Sequence, residues 1–446
     1  MRATSKATAV PSSPSSTAVT TSSILGVPLQ ELAEVKYLFL DLFAGMDGLG
    51  YALEASGISD FKKLGVLMIF FETDTRCRKL LAARRVRPGA FLSSAPDAEG
   101  LVGSVFAFTD ADCFYLQTLL QACPSLKLVF IGGGSPCVGF SQANPSGKGI
   151  NDPRSNMVWS IPVLANRARA FLPASVSVVF FLENVDMQAH RRPPLDETLH
   201  VPGIKSCASA VLPCNRPREY WLNLDTSPPP PIEVKVKDYL DPGWAPLWDL
   251  DKGESDRPLR RFGTFLRPFG PGAPREYPAQ FTRLPLSMYS ESGLVFRPDA
   301  PPAQLEVIRD LVRRCVHCNT SDLKTVGGAA VKLRGELAEW IHLKGGSAFL
   351  RPLNGRERDR CLGFPPFASA LPGEEGEDSI TWGRLEATGN SYAVAVVASL
   401  LRPLCKAILA GSVPKLLPGT PTVSSASAAL QALGAVSSQP LPNRRR

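Results

Sequence analysis

Four short apolar runs, set apart by stretches of helical length, constrain this 446-residue chain more than any other feature. Lys36–Leu42, Val66–Phe71, Leu126–Ile131 and Val176–Leu182 are rich in β-branched and aromatic residues, as buried strands are. Gly48–Ser56 and Phe114–Ala122 are two of the intervening segments that suit helices. Strand and helix in alternation predict a parallel α/β sheet, since parallel neighbours need a crossover long enough to hold a helix. A chain of this length can bury a sizeable core and carry two lobes. The pattern lapses after Leu224. Residues 225–303 are dense in proline, with the run Pro228–Pro231 and scattered Arg257, Arg260, Arg261 and Arg267. Residues 225–350 therefore read as an irregular second lobe inserted into the first, and helical pattern returns at Arg356–Cys361 and Tyr392–Ile408.

The candidate chemistry gathers where these strands end. The first runs into Asp41-Leu-Phe-Ala-Gly-Met-Asp-Gly-Leu-Gly50, a glycine-rich turn that lets a ligand approach the backbone at a helix N-terminus. The second ends at Glu72, whose carboxylate can accept hydrogen bonds from ribose hydroxyls; turn and acid together suggest a nucleoside cofactor. Gly132-Gly-Gly-Ser-Pro-Cys137 follows the third run and presents a thiol at the carboxyl edge of the sheet, where ligand crevices lie. Polar, glycine-containing residues from Val138 to Arg154 then suit a mobile loop. Glu183 follows the fourth run, in Phe180-Phe-Leu-Glu-Asn-Val185. An acid buried in such a place tends toward a raised pKa and can donate a proton.

A net charge of +8 favours a polyanionic partner. Ten scattered cysteines read as free thiols of a reducing compartment. Cys315 and Cys318 flank His317, but no second ligand pair is nearby, so they read as structural and no metal is expected. The longest apolar run, Leu64–Phe71, is too short to cross a bilayer. Residues 1–34, rich in Ser, Thr, Ala and Pro, read as a disordered tail in which Arg2 and Lys6 leave a transit peptide open. Residues 412–446 read as a low-complexity tail closing on Arg444, Arg445 and Arg446.

Together these motifs resemble the DNA cytosine-5 methyltransferases. Asp41-Leu-Phe-Ala-Gly45 matches the cofactor motif, Ser135-Pro-Cys137 the nucleophile motif and Glu183-Asn-Val185 the acid motif. In the family's order follow Arg216-Pro-Arg218-Glu-Tyr-Trp-Leu-Asn223 as the paired-arginine motif and Arg351 to Pro365 as the stretch after the target-recognition region. Gly389-Asn390-Ser391 followed by Tyr392-Ala-Val-Ala-Val396 matches the closing motif. Gly-Gly-Ser-Pro-Cys137, Asn144–Gly149 and Tyr220–Leu224 look nearest to the de novo-type eukaryotic enzymes. Two positions depart from the pattern. Asp47 stands where the turn usually carries a second glycine, and the aspartate for the adenine amino group is assigned to Asp112 with Asp110 as competitor.

The resemblance implies a Rossmann-like class I S-adenosylmethionine-dependent methyltransferase with a mostly parallel seven-stranded sheet. The catalytic domain would comprise 35–224 and 351–411, with a smaller target-recognition lobe at 225–350. Cofactor contacts would fall on Phe43, Gly45, Met46, Gly48, Glu72, Asp112, Pro136, Asn390 and Ser391, the last two returning to the turn at 43–48. The Cys137 thiolate would add to cytosine C6, its pKa lowered by a positive or dipolar environment. Glu183 would act as general acid at N3. One of Arg216 and Arg218 would hold the base carbonyl, Arg218 being the choice. The base would be flipped out of the duplex, with arginines of the inserted lobe on phosphates. The expected partner is double-stranded DNA in the nucleus, with other proteins supplying genomic targeting and no membrane involved. Two rival readings keep the fold. One is the tRNA-methylating branch, which looks less similar around nucleophile and acid; the other is a non-catalytic regulatory homologue, against which the intact Cys137, Glu183, Arg216 and Arg218 argue.

Overall fold

The computed structural model describes residues 23–24, 27–83, 90–92, 117–137, 139–141, 147–152, 155–250, 261–262, 293–316, 337, 339–341, 344–374 and 382–418. All four apolar runs become strands of one seven-stranded sheet: β1 (Tyr37–Leu42), β2 (Val66–Phe71), β3 (Ala90–Leu92), β4 (Leu128–Gly134), β5 (Ser177–Val185), β6 (Ile204–Cys207) and β7 (Pro217–Leu222). The order across the sheet is β3-β2-β1-β4-β5-β7-β6. Strands β1 to β5 pair in parallel, and β7 runs antiparallel to both β5 and β6. The fold is Rossmann-like, and its strand order reverses between β1 and β4. Crevices open beyond the carboxyl ends of strands at such a reversal.

Side chains that alternate along each strand enter two separate cores. Tyr37, Phe39, Phe130, Phe181 and Tyr220 pack on one face with α1 (Gly48–Ala55) and the helices Val394–Leu400 and Arg402–Leu409. Their rings form a ladder across the sheet, with centroids 5.0 Å apart for Phe39–Phe130, 6.2 Å for Phe130–Phe181 and 6.0 Å for Phe181–Tyr220. Leu38, Leu40, Val129, Ile131, Phe180, Leu182 and Trp221 pack on the opposite face with the helix Ser160–Phe171. Each such side chain contributes about 1.5–3 kcal/mol by burial, which is why these runs carry no exposed polar face.

Several boundaries differ from the sequence reading. Strand β4 continues past Ile131 through Gly132–Gly134 because β5 pairs with it there, and β5 continues past Leu182 to Val185 because β7 does. Glu183 is thus a strand residue, in register with Gly134 and Tyr220. The helical stretch Tyr392–Ile408 is two helices bent by 60°, with Pro403 in the first turn of the second, where its missing N–H costs nothing. Of Phe114–Ala122 the described part is 117–122, helical through 121 and a turn at Ala122. The tail expected through residue 34 gives way to a short helix, Leu29–Ala33, because Leu32 is fully buried. At the other end the chain stays packed beyond Gly411, where Leu416 bridges Leu224 and the Leu417 amide donates to Asn223 O at 3.0 Å. Residues 1–22 and 419–446 lie outside the described residues.

Between 225 and 352 the chain builds a second, antiparallel sheet from β8 (Ala245–Pro246), β9 (Leu294–Phe296) and β10 (Leu350–Pro352). Ala245, Leu294, Phe296, Ile308 and Leu350 form a small core of their own, with Ile308 on the helix Pro302–Val316. Arg257, Arg260, Arg267, His317 and Cys318 lie outside the described residues, and Arg261 Nε donates to Ser209 O at 3.4 Å. Among the described residues no single helix is long and apolar enough to cross a membrane.

Candidate active site

The turn after β1 bends through the left-handed region three times, at Phe43 (φ 62°), Gly45 (φ 56°) and Asp47 (φ 69°). For a residue with a Cβ this costs about 1–2 kcal/mol, less for aspartate, and such strain concentrates where function needs it. Asp47 therefore keeps a conformation suited to glycine and serves as the residue before α1, without a side-chain cap. The turn is fastened by Glu72 at the end of β2: Gly45 N donates to Oε2 and Asp74 N to Oε1, each at 2.7 Å. Burial raises the Glu72 pKa, against the pull of these amide bonds. Met46 is buried in the core, so its side chain supports the turn from beneath.

The turn after β4 carries the thiol. The amides of Phe140 and Ser141 donate to Cys137 O at 3.0 and 2.9 Å, and Phe140 is a fully buried anchor. Asn184 Nδ2 donates to Ser135 Oγ at 3.0 Å, tying this turn to β5. Beyond it, Arg191 Nη1 donates to Gly139 O at 2.9 Å and Nη2 to Gly147 O at 3.0 Å, holding both flanks of the loop that follows Cys137. Pro136 is partly exposed beside the thiol. Among the described cysteines only Cys137 and Cys207 are not fully buried.

Glu183 projects over Gly134, where a Cβ would come within 2.7 Å of Glu183 Oε2. Its Oε1 lies 2.8 Å from Arg218 Nε, both side chains being nearly buried. The two arginines of the paired motif divide their work. Arg218 holds the acid and donates through Nη1 to Pro217 O at 2.8 Å, whereas Arg216 Nη2 donates to Ser391 O at 2.5 Å and Gly389 O at 3.1 Å. Burial brings the Arg216 pKa down to about 10. Burial also pushes the Cys137 thiol up; Arg218 and Arg216 pull it down, Glu183 raises it further, and burial prevails. This reverses the sequence expectation of a lowered pKa, since the guanidiniums offset desolvation only in part.

The C-terminal segment does return to the turn after β1, but through a different side chain. Asn390 is exposed at the end of the helix Trp382–Asn390. The Ser391 hydroxyl donates back to Ala387 O at 2.8 Å and Thr388 O at 3.2 Å. It is Tyr392 that roofs Gly48: a Cβ there would come within 2.4 Å of Tyr392 Cδ2. The sequence reading includes Tyr392 in the closing motif without giving it a role, and nothing local marks Arg191. Asp112 and its competitor Asp110 lie outside the described residues, among which no group of three side chains could hold a metal ion.

No protein-family model and no curated protein matches this chain. Among solved structures it is similar to the Entamoeba histolytica methyltransferase EhMeth, with 16% identity and a TM-score of 0.42 over 82% of this chain and 97% of that one. It is similar to the S. pombe Dnmt2 methyltransferase, with 15% identity and a TM-score of 0.43 over 83% and 99%. A Spodoptera frugiperda DNMT2 mutant gives 16% identity and 0.42 over 82% and 98%.

Proposed function

We propose that this protein transfers a methyl group from S-adenosylmethionine to C5 of cytosine in DNA, with Cys137 as nucleophile and Glu183 as its acid partner. The observation that carries this reading is the convergence of Cys137, Glu183 and Arg218 at the carboxyl edge of β4 and β5, with the acid fixed by the 2.8 Å ion pair. The residues of the crevice fit the cofactor. Gly45 exposes bare backbone at φ 56°, and each Glu72 oxygen accepts one amide yet keeps a lone pair for a ribose hydroxyl. When bound, S-adenosylmethionine supplies the methyl group.

Cytosine C5 is a poor nucleophile, so a thiolate must first add to C6 and push electron density to C5. Cys137 supplies the sulfur. Glu183 Oε2, the oxygen not engaged by Arg218 Nε, supplies the hydrogen bond or proton at N3 that drains charge from the ring. Arg218 Nη2 remains for the base carbonyl. Once C5 carries the methyl group, loss of its proton to water expels the Cys137 thiolate, the N3 proton returns to Glu183 and the ring is restored. The base must leave the stack to be reached; Arg191 fixes Gly139 and Gly147, described residues that flank the segment after the nucleophile. A net charge of +8 suits double-stranded DNA as partner, in the nucleus, with targeting left to other proteins.

The test is methyl transfer from labelled cofactor to duplex DNA and to tRNA in parallel, with the modified base mapped. Label at C5 of cytosine in DNA is expected. Transfer to tRNA alone would move the substrate to RNA, and cofactor binding with neither product would make the chain a non-catalytic homologue.

A further inference from the structure

Tyr392 stands where the turn after β1, strand β4 and the candidate acid come together. Its ring occupies the space that a side chain at Gly48 would need. A Cβ on Gly134 would meet Glu183 Oε2 at 2.7 Å, Tyr392 Cε1 at 3.2 Å and the Tyr392 hydroxyl at 3.5 Å, so acid and phenol converge on one bare stretch of strand. The ring also packs edge-on against Phe181, with centroids 6.0 Å apart, two residues before Glu183 on the same strand. The segment that carries it is pinned by Arg216 through the carbonyls of Gly389 and Ser391. The residue is 6% exposed; its hydroxyl lies buried against the Gly134 amide, and no acceptor for its proton is within hydrogen-bond distance among the described residues. A buried hydroxyl whose proton has no acceptor is costly and calls for an explanation.

We propose that Tyr392 is a positioning residue for the methyl-transfer site, its ring locking the cofactor turn at Gly48 to Gly134 and its hydroxyl orienting Glu183 from the Oε2 side. Arg218 fixes one oxygen of that carboxyl; a bond from the phenol to the other would hold Glu183 between a cation and a neutral donor, in preference to the Asp41 carboxylate that also acts on the phenol. One water would close the gap between the hydroxyl and Oε2 while the ring stays packed where it is. This inference rests on the function proposed above.

Two variants of the full chain separate ring from hydroxyl. Tyr392→Phe keeps the ring: S-adenosylmethionine should bind within about twofold of wild type by calorimetry, while methyl transfer at saturating cofactor and DNA slows about tenfold or more. Tyr392→Ala removes the ring and should weaken cofactor binding by about tenfold. A purely structural hydroxyl would leave turnover untouched, so wild-type turnover in Tyr392→Phe overturns the orienting role. Wild-type cofactor affinity in Tyr392→Ala overturns the lock. If wild-type protein binds cofactor but methylates neither DNA nor tRNA, the proposed function falls, and the binding comparison still decides the lock.

Discussion

At Cys137 two effects oppose each other. Burial disfavours the thiolate, while Arg218 and Arg216 favour it, and the thiol ends above its ordinary range. At neutral pH the resting protein therefore holds little thiolate, and alkylation by iodoacetamide should quicken as pH rises beyond the range of a free cysteine. Glu183 pushes the same thiol up, so Glu183→Gln should make alkylation at fixed pH faster while methyl transfer falls by orders of magnitude. Alkylation unchanged by that substitution would place the carboxylate too far from sulfur for the chemistry described. Cys137→Ser should bind cofactor nearly as wild type and lose methylation by orders of magnitude, since a hydroxyl is hardly ionised near neutral pH. DNA containing 5-fluorocytosine should trap the wild-type protein covalently, and mass spectrometry of the adduct should find Cys137. A trapped Cys214 would move the active site, although that thiol is fully buried, pushed up to about 12, and donates to Cys361 O at 3.1 Å.

At the scale of elements, the site is an arrangement of strand ends and the turns after them. Glu72 closes the turn of the neighbouring strand through Gly45, so Glu72→Ala removes both an acceptor for ribose and the fastening of the turn. Cofactor affinity should fall by about 1–3 kcal/mol, measured as a calorimetric dissociation constant; an unchanged constant would make the carboxylate purely structural. The strands β1, β2, β4 and β5 were legible because each holds a run of at least four consecutive apolar residues: Tyr37–Leu40, Val66–Phe71, Leu128–Ile131 and Val178–Leu182. Strand β7 was not. Its sequence places Arg218 and Glu219 inside a buried strand, and only folded partners make that tolerable: Arg218 pairs with Glu183 at 2.8 Å, and the fully buried Glu219 lies 3.3 Å from Lys205 Nζ. The motif marked the arginines, but their division between Glu183 and Ser391 depends on which segments fold beside them. The extension of β4 through three glycines was hidden for the same reason, since glycine disfavours a strand until a neighbour needs the room.

At the scale of the molecule, the chain must leave the large sheet at Leu224 and come back to it after Arg351, and the order of the motifs predicted that return. The fastening that secures it is an ion cluster around Asp241. Its carboxylate accepts from Asn354 Nδ2 at 2.6 Å, Arg356 Nε and Nη2 at 3.0 and 2.7 Å, and Arg360 Nη2 at 2.6 Å. Its own amide donates to Glu357 Oε1 at 2.9 Å, and Glu357 in turn pairs with Arg351 at 2.7 Å and completes a capping box with Asn354. No local pattern could show this, because the partners lie more than a hundred residues along the chain from Asp241. Burial alone would raise the Asp241 pKa, but the donors from Arg356, Arg360 and Asn354 outweigh it and hold the group at about 2. The sign of the linkage follows: a folded pKa below the unfolded value of about 4 contributes stability above pH 4 that is lost as pH falls toward 2. Asp241→Asn should cost about 2 kcal/mol at pH 7, after allowing for solvent at Arg356 and Arg360, whose side chains are 19% and 22% exposed. The cost should shrink to near zero by about pH 2, where the wild-type carboxyl is itself half protonated. Urea unfolding of both proteins at pH 7 and pH 3 measures this directly. A loss of equal size at both pH values would assign Asp241 a packing role and leave the return of the chain to be explained by the apolar contacts of Val394–Leu400 with α1.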